Sequence, residues 1–96
     1  MSTVDVAKQA IHDKLQAQFS TAEAKLDTLK AKAETAKANT EIKAIAELVA
    51  KKQQIHHKLQ ELKAGVEYEH AKAEVEARVA DFEKSVKGIE SKLKAS

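Results

Sequence analysis

The sequence predicts an all-α fold: three long helices packed as an antiparallel coiled coil or three-helix bundle. Three observations lead there. Pro is absent, Gly occurs only twice, and the strong helix formers Ala, Glu, Lys, Leu, Gln and Arg dominate the composition. Apolar residues recur in alternating steps of three and four, the spacing of a heptad seam. That seam changes register twice, near Asn39-Thr40 and at Gly65, dividing a single 96-residue domain into segments of about 3–38, 41–64 and 67–94. The alternative is a long two-helix hairpin in which only one break is a turn. A stripe would then stay exposed and force dimerisation.

Ser2, with Asp5 three residues later, has capping-box spacing and starts the first helix at Thr3. From Leu15 its seam runs Leu15, Phe19, Ala22, Leu26, Leu29, Ala33, Ala36 and Thr40. Val4 and Ile11 stand one position out of that register, so the first two turns pack differently from the rest. Ser20-Thr21-Ala22-Glu23 spells a second capping box, but the seam runs straight through it and the helix should too. From Ala31 to Ala38 the core positions are only Ala, which permits close approach and supplies little burial.

Continuing that register would put Thr40, Lys43 and Glu47 in the core, whereas the apolar residues are Ile42, Ile45 and Leu48. A slip of two residues turns the apolar face by more than a quarter turn. Asn39-Thr40-Glu41 offers an N-cap residue type followed by an acidic first turn. The second seam has Ile45, Lys52, Leu59 and Val66 at a, with Leu48, Ile55 and Leu62 at d. It organises the chain, because a helix with that stripe cannot bury it alone.

Gly65 is suited to stop the second helix, although no Ser, Thr, Asp or Asn follows to cap a third. Beyond it the seam is Tyr68, Lys72, Val75, Val79, Phe82, Val86, Ile89 and Leu93, one residue short of the previous register. Lys52 and Lys72 sit at a positions, where their stems can pack along the seam while the ammonium reaches water. Gly88 falls on the outer face and costs ~1 kcal/mol relative to Ala. Glu47–Lys51, Glu74–Arg78, Glu83–Lys87 and Glu90–Lys94 have the i,i+4 acid-before-base spacing of a solvated helix face.

The strings LDTLKAKAETAKA (Leu26 to Ala38) and KLQELKAGVEYE (Lys58 to Glu69) resemble a family of small bacterial coiled-coil proteins associated with stress responses. The resemblance spans roughly Leu15 to Leu93, with Tyr68 and Val79 standing where that family carries Trp. It implies helices and a stress-linked role, and it carries over no catalytic residue.

Charge and site chemistry narrow the function classes. Seventeen basic and fifteen acidic residues leave a net charge of +2, without the concentrated basic face of a dedicated nucleic-acid binder. Lys30, Lys32, Lys37, Lys51, Lys52 and Lys58 could line a basic strip, but acidic residues interrupt it and no aromatic platform accompanies it. Nucleic acid is therefore not the expected partner. The absence of Cys excludes a disulfide, a thiolate metal site and a Cys nucleophile. The N-terminal stretch has Asp5 early and no apolar run, so no signal peptide is expected; no run has the length of a membrane span. A cytoplasmic protein is the expectation.

Four histidines, His12, His56, His57 and His70, are the residues that suggest a metal. His57–Glu61 and His70–Glu74 have i,i+4 chelate spacing, but adjacent His56 and His57 point about 100° apart on a helix and cannot share one ion unaided. The plainer reading is solvated or seam-edge histidines with no metal and no cofactor. His12, at an a-type position, fits a partly buried packing residue. No Gly-rich phosphate loop or nucleophile elbow is present, and the carboxylates are spaced as surface ion pairs, so enzyme activity is not expected.

What remains is an interaction or scaffold protein with Leu15, Phe19, Leu26, Leu29, Ile45, Leu48, Ile55, Leu59, Leu62, Tyr68, Val75, Val79, Phe82, Val86, Ile89 and Leu93 as core or interface. Ala, Thr and Lys dilute that core, and ordering each residue costs ~1–2 kcal/mol against burial worth ~25 cal/mol per Å². A homo-oligomer is the expectation, its protein partner otherwise unspecified. The competing function is an amphipathic-helix protein that binds a lipid or granule surface, with Leu26, Leu29, Ile45 and Leu48 facing lipid.

Overall fold

The computed structural model describes residues 3–65 and 67–95. Helices α1 (Thr3–Ala36), α2 (Asn39–Ala64) and α3 (Tyr68–Ala95) follow one another, with no strand among the described residues. Short turns reverse the chain twice, so α2 runs against both neighbours and α1 and α3 run the same way. The rod measures 51 × 17 × 16 Å. Its length is that of the 34-residue α1 at ~1.5 Å per residue. Both register breaks are turns, and the molecule is the three-helix bundle rather than the two-helix hairpin. The cap at Ser2, the side chains of Val4 and Asp5 and the seam position at Val66 lie outside the described residues.

The first turn is a Schellman closure. Ala38 N–H donates to Ala33 O at 3.0 Å and Lys37 N–H to Glu34 O at 3.2 Å, satisfying two carbonyls that the helix end would orphan. The left-handed residue is Lys37, with φ 55°, at a position where Gly is commonest. Helix α2 then starts at Asn39, two residues earlier than the expected 41. Ala38 is its N-cap and makes no side-chain cap; its carbonyl accepts from Ile42 N–H at 2.9 Å. Ala cannot cap with a side chain, so the expected Asn or Thr cap is replaced by the tight backbone turn.

The second turn uses Gly65, with φ 79° and its N–H donating to Leu62 O at 3.1 Å. Glu67, also left-handed at φ 45°, precedes α3 and accepts from Ala71 N–H at 2.9 Å. The third helix thus begins without a Ser, Thr, Asp or Asn cap, and its first carbonyl acceptor belongs to a glutamate held in the left-handed region.

The three seams converge on one core. Leu15, Phe19, Leu26, Leu29, Ile45, Leu48, Ile55, Leu59, Leu62, Val75, Val79, Phe82, Val86 and Ile89 are buried, as are Ala22 and Ala33; Tyr68 and Leu93 are partly buried against them. Phe19 packs edge-on to Phe82 at 5.1 Å between centroids, joining α1 to α3. Three seam positions shift. Ala36 and Thr40 are exposed because the helix ends between them, and Ala38 packs there instead. In α3 the buried residue is Ala71, with Lys72 rotated to the edge. Val6 and Val49 are the large apolar residues left exposed among the described ones.

Candidate functional site

Two polar clusters fasten α2 to its neighbours. Between α1 and α2, Glu23 is only 18% exposed and faces two cations or potential cations: Lys52 Nζ at 3.5 Å and His56 Nε2 at 3.1 Å. A carboxylate only accepts, so the His56 nitrogen is the donor. His56 also stands edge-on to Phe19 at 4.9 Å, which ties the polar cluster to the aromatic pair of the core. Lys52, an a-position lysine, runs its stem along the seam and ends on Glu23, one quarter of its side chain exposed (26%).

The second cluster joins α2 to α3, and its centre is Lys58. Its ammonium lies 3.0 Å from Glu74 Oε2 across the helix interface and 3.3 Å from Glu61 Oε2 on its own helix. Each carboxylate carries a histidine on its other oxygen, His70 at 3.1 Å from Glu74 Oε1 and His57 at 3.2 Å from Glu61 Oε1. The hydrogen bonds that Lys58 donates to Glu74 and then to Glu61 hold its ammonium above its ordinary 10.5. The Lys58 hydrogen bond in turn holds the Glu74 carboxyl below its ordinary 4.5. Close by, Arg78 does not pair with Glu74; its Nη1 donates to Gln54 Oε1 at 3.2 Å and stitches the same interface one turn away.

The four residues spaced as chelates, His57, Glu61, His70 and Glu74, are therefore brought together. The fold places an ammonium between the two carboxylates, and among the described residues no group of three or more His, Cys, Asp or Glu is disposed to hold a metal ion. His12 is partly buried, with Nδ1 3.3 Å from Asp13. Of the expected i,i+4 pairs, Glu90–Lys94 closes at 3.5 Å, while Glu74 and Arg78 turn to α2 instead. Sequence spacing alone missed Glu23 and Lys58. Their signal was position: both flank a buried seam residue, Glu23 after Ala22 and Lys58 before Leu59.

No protein-family model, curated protein or solved structure matches the chain. No helix is long and apolar enough to cross a membrane among the described residues.

Proposed function

We propose that this chain is a non-enzymatic helical interaction or scaffold protein that associates with its own copies through an outer helix face. The observation that carries the proposal is the solvent side of α1. Ala17, Ala24 and Ala31 repeat every seven residues, Thr21, Thr28 and Thr35 repeat in step, and all six are exposed. Each threonine Oγ1 donates to the carbonyl four residues back, at 3.0, 3.2 and 2.9 Å, on Ala17, Ala24 and Ala31. The hydroxyls are thus turned to the backbone, and the face is small and nearly uncharged. A second helix can approach such a face closely, and its heptad period keeps it in line along a supercoil.

The rims of that face differ in sign, Lys25 and Lys32 on one side and Asp27 and Glu34 on the other. Two copies paired in parallel set each basic rim against an acidic one, whereas antiparallel pairing opposes like charges. The family resemblance adds a stress-linked setting. Sedimentation equilibrium over a broad concentration range tests the reading: association and a melting temperature that rises with concentration are expected, and Ala24→Glu should abolish both. A monomeric mass with a concentration-independent melt would overturn it.

A further inference from the structure

We propose that the bundle opens along the seam between α1 and α3 and lies, as a flat layer of three helices, on an anionic lipid surface. The three seams differ in their polar fastening, although the Phe19–Phe82 ring pair packs across α1–α3 and must separate on opening. The α1–α2 edge is crossed by Glu23 to Lys52 and His56, and the α2–α3 edge by Lys58 to Glu74 and by Arg78 to Gln54. Both edges are also continuous through a turn. Among the described residues no ion pair joins α1 to α3, and their polar link is the ammonium of Lys8, 4.7 Å from the centre of the Tyr68 ring at one end. An open furrow follows this seam, passing Gln18 and Glu83 at its middle.

Opening there leaves every consecutive pair of helices adjacent and every cross-helix ion pair intact. It turns the seams of all three helices, Phe19 and Phe82 at their centre, toward one side. The residues that become the outer edges of that layer are suited to an interface. Lys14 and Lys25 line the furrow on α1, Lys72 and Lys87 on α3. Two carboxylates stand among them, Glu76, which lies 3.9 Å from Lys72, and Glu83. The lysines outnumber them and have the longer reach. A lysine flanking an apolar stripe extends its ammonium to the headgroups while its stem stays with the acyl chains, and anionic lipid strengthens that contact. Burial of the stripes in the acyl region replaces the burial lost from the core.

Flotation with vesicles of equimolar phosphatidylglycerol and phosphatidylcholine tests this. The unmodified chain should float with them, keep its helical circular dichroism, and lose binding by about tenfold or more on pure phosphatidylcholine. A short bis-maleimide joining Gln18→Cys to Glu83→Cys closes the α1–α3 seam and should prevent flotation. The same reagent joining Gln54→Cys to Arg78→Cys, across an edge that stays closed in the layer, should not. Flotation of the seam-closed protein would show that the bundle binds without opening and overturn the proposal, as would failure of the unmodified chain to bind anionic vesicles.

Discussion

The two glycines give a test in which one chemical change should have opposite signs. A Cβ added at either Gly65 or Gly88 meets nothing within 4 Å, so packing is silent at both sites and the backbone decides. Gly88 lies inside α3, where replacing Gly by Ala is worth ~1 kcal/mol of helix propensity. Gly65 is held at φ 79°. There the same methyl meets its own chain, at ~1–2 kcal/mol for a left-handed L-residue, partly offset by ~0.4–1 kcal/mol from a less flexible unfolded chain. Gly65→Ala should therefore destabilise by about 0.5–1 kcal/mol, and Gly88→Ala should stabilise by about as much. For a domain of this size each kcal/mol moves the melting temperature by ~4–8 °C. Urea unfolding followed by circular dichroism measures both, and the slope should stay constant because neither change alters the surface exposed on unfolding. The sites are on different elements, so the double variant should return close to the starting stability. A Gly65→Ala midpoint above the starting protein's would mean that the helix runs through, and the turn that closes the bundle would be refuted.

Three further expectations follow from named contacts. Lys37→Gly should raise stability by about 0.5–1 kcal/mol, because Lys37 holds φ 55° without a Gly's freedom; a fall in the urea midpoint would contradict it. The α2–α3 clamp sets a pH window. The lowered Glu74 carboxyl contributes stability that is present above its ordinary 4.5 and lost as pH falls through its folded value below that; the raised Lys58 contributes below 10.5 and is lost as pH rises through its folded value above that. Glu74→Gln should thus flatten the acid limb of a melting-temperature profile, and an unchanged limb would remove the clamp from the account. Zinc, nickel or copper should leave the melting temperature nearly unchanged, since Lys58 stands between Glu61 and Glu74; a rise of several degrees that disappears in His70→Ala would show that a metal displaces the ammonium.

The fold was legible because its rules are periodic. Steps of three and four located all three stripes, and the two slips in register located both turns to within two residues of the helix ends at Ala36–Asn39 and Ala64–Tyr68. The turn chemistry was only half legible. Gly65 announces a left-handed residue, but Lys37 and Glu67 do not, since no local signal marks a charged residue forced into that conformation by the helices on either side. Ala71 was hidden for a similar reason. An ideal heptad names Lys72, and only the rotation of α3 against its neighbours shows that Ala71 is the buried position.

The polar clusters show why a site built on helix edges escapes a reading by spacing. Within one helix, spacing identifies which residues can touch, and His57–Glu61 and His70–Glu74 do touch at 3.2 and 3.1 Å. Spacing cannot say how one helix is rotated against the next, and that rotation gives the clusters their character. A small turn of α3 would leave Glu74 with Arg78 on its own surface. The turn it has delivers Glu74 to Lys58, 3.0 Å away, and converts two separate chelate-like pairs into one network with an ammonium at its centre. The same rotation leaves the α1–α3 edge without a described ion pair of its own. The arrangement that weakens the metal reading is therefore also the one that leaves the α1–α3 edge held by apolar packing, the Phe19–Phe82 pair at its middle.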